Sequence, residues 1–258
     1  FAVLKLDGLQ NAGLPQLEEV AAAMKKFQAS GKKIIAYGPW YEQLQYFAAS
    51  QADEVVMDPQ GMVALEGFSS YNNYFKDALD KMGVQVNVFR VGEYKSAVEP
   101  FLRNDMSEEA RTANREWLND LWADYTGQVA KARKLPADGP QNYVANMRAG
   151  LEANGGDGAV YAKSAGLVTH VETLMQFRQR MGKTVGMDEK HGSFRQINFL
   201  DYLNGIGTEN VKVEAAPNKI ALIVVQGEIV DGEGEPGYAG GAAISNLLDD
   251  ARRDADVS

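Results

Sequence analysis

The chain holds no cysteine and two histidines, His170 and His191, so thiol catalysis and thiolate metal sites are closed to it. Neither a Gly-x-Ser-x-Gly elbow nor a His-Glu-x-x-His helix occurs, which leaves a serine-histidine-acid triad and a zinc peptidase site without their signatures. Asp188-Glu189-Lys190-His191 runs into Gly192 and reads as a solvated charged loop rather than a metal site, and His170, beside Leu167-Val168, reads as a surface histidine. Asn154 to Gly158 is glycine-rich but lacks both phosphate-loop spacings, and it reads as a plain loop. No cofactor and no metal are expected. Ser30-Gly31-Lys32-Lys33 has the Ser-x-x-Lys spacing, yet that motif works at a helix start and this copy lies at a helix end.

Lysine remains as the base worth considering. A free lysine titrates at about 10.4, so fewer than roughly one in a thousand is neutral at pH 7; bringing it down to about 7 opposes its charged form by roughly 4 kcal/mol. Burial and a nearby positive field do this. Lys95 follows a β-branched run, Val84 to Val91, and the break at Gly92, with Tyr94, Ala97 and Val98 as apolar cover. A helix starting here would add a dipole that disfavours an ammonium. The same spacing also fits a lysine exposed on a turn. Ser96 cannot be its nucleophile, because adjacent residues of a helix do not face each other.

The elements that must position such a lysine alternate. Phe1 to Leu6 reads as a strand, mostly buried and therefore central in a parallel sheet, stopped by Asp7-Gly8. Pro15 fits a first helical turn, and Leu17, Val20, Ala21, Met24 and Phe27 repeat at helical spacing up to Gly31. Strands are expected at Lys33 to Tyr37, Glu54 to Met57, Val63 to Leu65 and Val84 to Val91, with helices at Tyr41 to Ala49 and Tyr74 to Met82. This is an α/β pattern. Ser107-Glu108-Glu109 then caps a long helix to about Lys134, whose Trp117, Leu118, Leu121, Trp122, Tyr125 and Val129 stripe is a packing face.

The net charge of −9 over 258 residues, with no basic run, argues against nucleic acid as a partner. The longest strictly apolar run, Ile220 to Val225, falls far short of the ~20 residues of a membrane-spanning helix. The sequence opens at Phe1 without Met, inside an apolar run, so an upstream segment that holds a membrane anchor is expected.

An internal repeat lays Phe1 to Gln10 on Ile220 to Ile229 without a gap. In both copies an apolar strand reaches a glycine, Gly8 or Gly227, and an amphipathic helix follows; in the second copy it carries Ile244, Leu247, Leu248 and Ala251. A second copy of the fold is therefore expected to begin here and to be incomplete at Ser258.

The segment Phe89-Arg90-Val91-Gly92-Glu93-Tyr94-Lys95-Ser96-Ala97-Val98-Glu99-Pro100-Phe101, continued by Arg103-Asn104-Asp105-Met106-Ser107, resembles the lysine motif of the bacterial signal peptide peptidases of the protease IV type. Ala162-Lys163-Ser164-Ala165-Gly166-Leu167-Val168 resembles that family's Ala-x-x-x-Gly-Leu-Val-Asp, with Thr169 in place of Asp. The resemblance covers essentially the whole chain. It implies a ClpP/crotonase-like α/β domain over 1–105, a long helix, helical extension and linker over 106–216, and the start of a second copy of the same fold, the serine-bearing repeat, over 217–258. It also implies a serine endopeptidase with a Ser/Lys dyad whose lysine, in the long form, comes from the first repeat and whose serine comes from the second. The base then maps onto Lys95, and the serine is expected well after Ser258. In the first repeat the corresponding stretch is Tyr37 to Phe47, where Gln43 falls about where the serine would be; an amide cannot attack a peptide carbonyl, so this repeat alone is expected to be inactive. The implied substrates are cleaved signal peptides or other extended apolar peptides, with a homo-oligomer at the periplasmic side of the inner membrane, held there by a segment outside this chain. Two other readings stand beside this one: a non-catalytic oligomerisation scaffold, and an acyl-CoA enzyme of the crotonase fold, against which the acidic surface and the lysine motif count.

Overall fold

The computed structural model describes residues 1–89, 95–206, 220–235, 237–255 and 257. They fall into two compact units, Phe1–Arg195 and Gln196–Ser258.

In the first unit β1 (Ala2–Leu4), α1 (Leu14–Ala29), β2 (Ile34–Gly38), β3 (Tyr41–Glu42), α2 (Gln43–Ser50), β4 (Glu54–Met57) and β5 (Val63–Ala64) alternate as the hydrophobic pattern requires. Then come α3 (Lys76–Lys81), α4 (Glu99–Leu102), α5 (Glu108–Arg133), α6 (Gly139–Ala145), α7 (Met147–Ala153), α8 (Gly158–Ser164), β6 (His170–Val171), α9 (Leu174–Val185), β7 (Met187–Asp188) and β8 (Ser193–Phe194). Among the described residues β1, β2, β4 and β6 form a parallel sheet in the order β1-β2-β4-β6. β3 pairs with β5 in parallel, and β7 with β8 antiparallel.

The sheet is covered on both faces because strand side chains alternate. Ile34 and Ala36 of β2 join Val55 and Met57 of β4 in a core with Leu17, Ala21 and Met24 of α1, Tyr46 and Phe47 of α2, and Tyr125 and Val129 of α5. Ile35, Tyr37 and Val56 face the other way, onto Phe177 and Met181 of α9 and Phe194 of β8. Tyr37 and Phe177 stack at 4.6 Å. The stripe expected on α5 is thus buried only toward its C-terminal half: Tyr125 and Val129 are enclosed, whereas Trp117 is exposed.

Three expected strands differ. β1 is not central but lies at one end of the sheet, and its three residues are only half-buried. A continuous apolar run reports that both faces are covered; it carries no information about whether both edges are paired. No strand forms over Val84 to Phe89, where Phe89 is 100% exposed, while the last two positions of the expected strand, 90 and 91, lie outside the described residues. β-branched residues favour a strand only where a pleated, half-buried surface receives them, and this stretch has none.

In the second unit α10 (Phe199–Ile206), β9 (Glu228–Val230), β10 (Tyr238–Gly240) and α11 (Gly241–Arg253) are present, with β9 and β10 paired in parallel. The strand expected at Ile220 to Val225 does not form; Leu222 is 87% exposed. Ile220, Val224 and Val225 are exposed as well. α11 lies where the second amphipathic helix was expected, with Leu247 and Leu248 uncovered.

Candidate functional site

Lys95 lies in irregular chain just ahead of a turn, and its side chain is exposed. The turn is closed by the Glu99 N–H, which donates to the Ser96 carbonyl at 2.9 Å, and α4 begins only at Glu99, so no helix starts at the lysine. Ala97 is exposed as well, and among the described residues the apolar cover expected from Ala97 and Val98 does not close over Lys95. Tyr94, the third residue of that cover, lies outside the described residues.

The segment around Lys95 is braced from two sides. From α3, the Phe75 N–H donates to the Pro100 carbonyl at 2.7 Å, the Phe75 and Phe101 rings stack at 6.4 Å, and Asp77 and Asn104 exchange two hydrogen bonds. From α5, Ser107 donates through its hydroxyl and its N–H to the Glu99 carboxylate at 2.5 and 3.1 Å. Ser107 is also the helix cap the sequence indicated, accepting from the Ala110 N–H at 3.2 Å. Glu99 itself had no signal beyond its place in the lysine motif; a carboxylate one turn after the lysine and eight residues before a capping serine is the spacing that marks it.

Gln43 opens α2 and lies at the rim of a cavity of about 350 Å³, lined also by Trp40, Glu42, Leu44, Ala64 and Glu66. Its Oε1 accepts from the Glu66 and Gly67 N–H groups at 2.9 and 2.7 Å, and its Nε2 donates to the Gly67 carbonyl at 3.0 Å. Two peptide N–H groups converging on one oxygen is the donor geometry that stabilises an oxyanion, and here an amide oxygen fills it. The Tyr125 hydroxyl donates to the Gln43 carbonyl at 2.7 Å and holds this corner against α5.

The other candidates are structural. His170, on β6, stands 3.8 Å from Glu54, which pairs with Arg180 at 2.8 Å. His191 pairs with Asp188 at 2.7 Å at the exposed turn between β7 and β8, and this hydrogen bond holds the Asp188 carboxyl below the usual carboxylate range. Ser30 caps the end of α1 and spends its hydroxyl on the Phe27 carbonyl. In the Asn154 to Gly158 loop, Asp157 caps α8 through the Val160 N–H at 2.9 Å. Thr169, which replaces the motif's Asp, accepts from Arg133 at 2.9 Å and from the Val55 N–H at 3.1 Å, so an acceptor is kept at that position. Among the described residues no cluster of three or more His, Asp or Glu is grouped to hold a metal ion, and no helix is long and apolar enough to cross a membrane.

A family sequence model described as Peptidase family S49 matches residues 26–188. The chain is 39% identical over 255 residues to Protease 4 of Haemophilus influenzae, covering 99% of this chain and 41% of that protein. To Protease 4 of Salmonella typhi it is 37% identical over 259 residues, 99% of this chain and 40% of that protein. To the chloroplastic serine protease SPPA of Arabidopsis thaliana it is 22% identical over 249 residues, 95% of this chain and 35% of that protein. The chain spans about two fifths of the length of the two bacterial relatives.

Proposed function

The chain belongs to peptidase family S49, and from that premise we propose that it supplies the lysine of a Ser/Lys dyad in a serine endopeptidase that degrades cleaved signal peptides. The serine lies in the part of the relatives' length that this chain does not span. One observation carries the reading: Lys95 sits in the lysine motif and is exposed on the first unit, while the position that corresponds to the serine is held by Gln43, whose amide is bonded to the backbone of Glu66 and Gly67.

In the assembled enzyme a second repeat covers Lys95, removes water from its amine and lowers its proton affinity. The neutral amine takes the proton from the serine hydroxyl as that oxygen attacks the scissile carbonyl, and returns it to the leaving amine. Backbone N–H groups near the serine hold the tetrahedral oxyanion. Extended apolar peptides bind beside a strand edge by strand addition. The enzyme works as a homo-oligomer at the periplasmic side of the inner membrane, anchored by a segment outside this chain.

The test is hydrolysis of a synthetic signal peptide by the complete enzyme and its Lys95→Ala variant. Turnover is expected to fall by roughly 100- to 10,000-fold, the range general base catalysis supplies. Wild-type turnover in the folded variant overturns the assignment. The 258-residue chain alone is expected to be inactive.

A scaffold function is the second reading, favoured by the uncovered apolar residues Phe199, Leu200 and Leu203 of α10 and Leu247 and Leu248 of α11. It predicts that Lys95→Ala leaves turnover intact while substitutions in α10 change the oligomeric state.

A further inference from the structure

Among the described residues from 66 to 106, the stretch that carries Lys95, one side chain is buried, and it is a carboxylate: Glu99, 3% exposed. Apolar packing here is confined to half-buried or exposed rings such as Phe68, Phe75 and Phe101, and a buried carboxylate is unfavourable unless its oxygens accept hydrogen bonds. Both Glu99 oxygens do. Oε1 accepts from the Ser107 hydroxyl and Oε2 from the Ser107 N–H. Ser107 caps α5, so the carboxylate also faces the positive end of a 26-residue helix. Bonds to a charged acceptor are short and directional, which fixes orientation where packing does not.

The other end of the same residue reaches the lysine. The Glu99 N–H closes the turn onto Ser96, the residue next to Lys95, and the Glu99 carbonyl accepts from the Arg103 N–H at 2.9 Å. Thus Glu99 joins the lysine turn to α5, and α5 is anchored in the core through Tyr125 and Val129.

We propose that Glu99 is a positioning residue for Lys95: its buried carboxylate, clasped by Ser107 at the start of α5, sets where the lysine amine stands relative to the incoming serine. The inference rests on the reading of Lys95 as the general base. A Glu99→Gln substitution keeps the volume but turns one acceptor into an NH2 group facing a Ser107 donor.

Four variants of the complete enzyme test it, with a synthetic signal peptide as substrate. Glu99→Gln is expected to lower kcat roughly 10- to 100-fold, as misplacement of a reacting group does, with KM within about twofold. Trypsin is expected to cut its Lys95–Ser96 bond faster. Ser107→Ala gives a smaller loss in kcat, and Ser107→Thr, which keeps a hydroxyl, restores it. A folded Glu99→Gln enzyme with wild-type kcat, or one impaired in KM alone, overturns the proposal. Should Glu99→Gln fail to fold, equal kcat for Ser107→Ala and Ser107→Thr overturns it. Lys95→Ala separates the levels: full turnover there sinks the base assignment and this inference with it, whereas an inactive Lys95→Ala beside a fully active Glu99→Gln sinks the positioning role alone.

Discussion

Gln43 and Gly67 bind each other in both directions: the Gln43 amide donates to the Gly67 carbonyl at 3.0 Å and its oxygen accepts from the Gly67 N–H at 2.7 Å. Gly67 has φ of +82°, a conformation glycine adopts without strain, so the loop after β5 can turn its peptide toward the start of α2. Gln43→Ala removes three hydrogen bonds around half-exposed backbone groups and is expected to destabilise the chain by about 1–3 kcal/mol. Urea unfolding measures this. Gln43→Ser is expected to be destabilised similarly and to leave the 258-residue chain without peptidase activity, because its hydroxyl gains no base.

Alanine in place of an exposed helical glycine ordinarily stabilises, by up to about 1 kcal/mol. At Gly150 in α7 the sign is reversed. An added Cβ would stand 2.1 Å from the Tyr161 ring, and that ring is pinned by stacking on Tyr143 at 4.6 Å and by donating its hydroxyl to the Tyr143 carbonyl at 2.8 Å. Gly150→Ala is expected to cost about 1–3 kcal/mol, measured as a lower urea midpoint at unchanged slope.

Tyrosines give the chain an alkaline limit. Burial pushes the hydroxyls of Tyr41, Tyr46, Tyr125 and Tyr143 well above their ordinary value near 10. The folded state therefore holds protons that the unfolded state releases. Stability is fully present below pH 10 and falls as pH rises beyond it toward the folded values. Tyrosinate absorbance of these residues is expected to rise together with loss of helical circular dichroism. Gradual ionisation of all the tyrosines near pH 10 with the fold retained would contradict this. Tyr46→Phe, which leaves the Leu167 carbonyl without its donor at 2.8 Å, should lower stability at neutral pH by about 1–3 kcal/mol.

What was legible in the sequence follows a physical division. β4 forms at Glu54–Met57 as the pattern required, and α5 begins one residue after its capping Ser107, since local pattern and capping chemistry decide both. Val84 to Phe89 and Ile220 to Val225 have the residue types of strands and are not strands, because pairing depends on partners that residue type does not specify. The lysine was marked by its motif. The brace beside it was not, since Glu99 is distinguished by its burial and its bond to Ser107, and neither can be seen in a linear reading. Gln43 was placed by correspondence between repeats, whereas its clasp on Gly67 emerges only once α2 and the loop after β5 are side by side.

The long helix acts as a lever. Tyr125 fixes α5 in the core near its C-terminal half, and Ser107 carries the lysine turn at the opposite tip, roughly 27 Å away at ~1.5 Å per residue. Tilting such a rod by about 5° displaces its tip by roughly 2 Å, enough to spoil a proton transfer. If Lys95 has the role proposed above, a push on the exposed Trp117, partway along the rod, would shift the lysine turn at its tip.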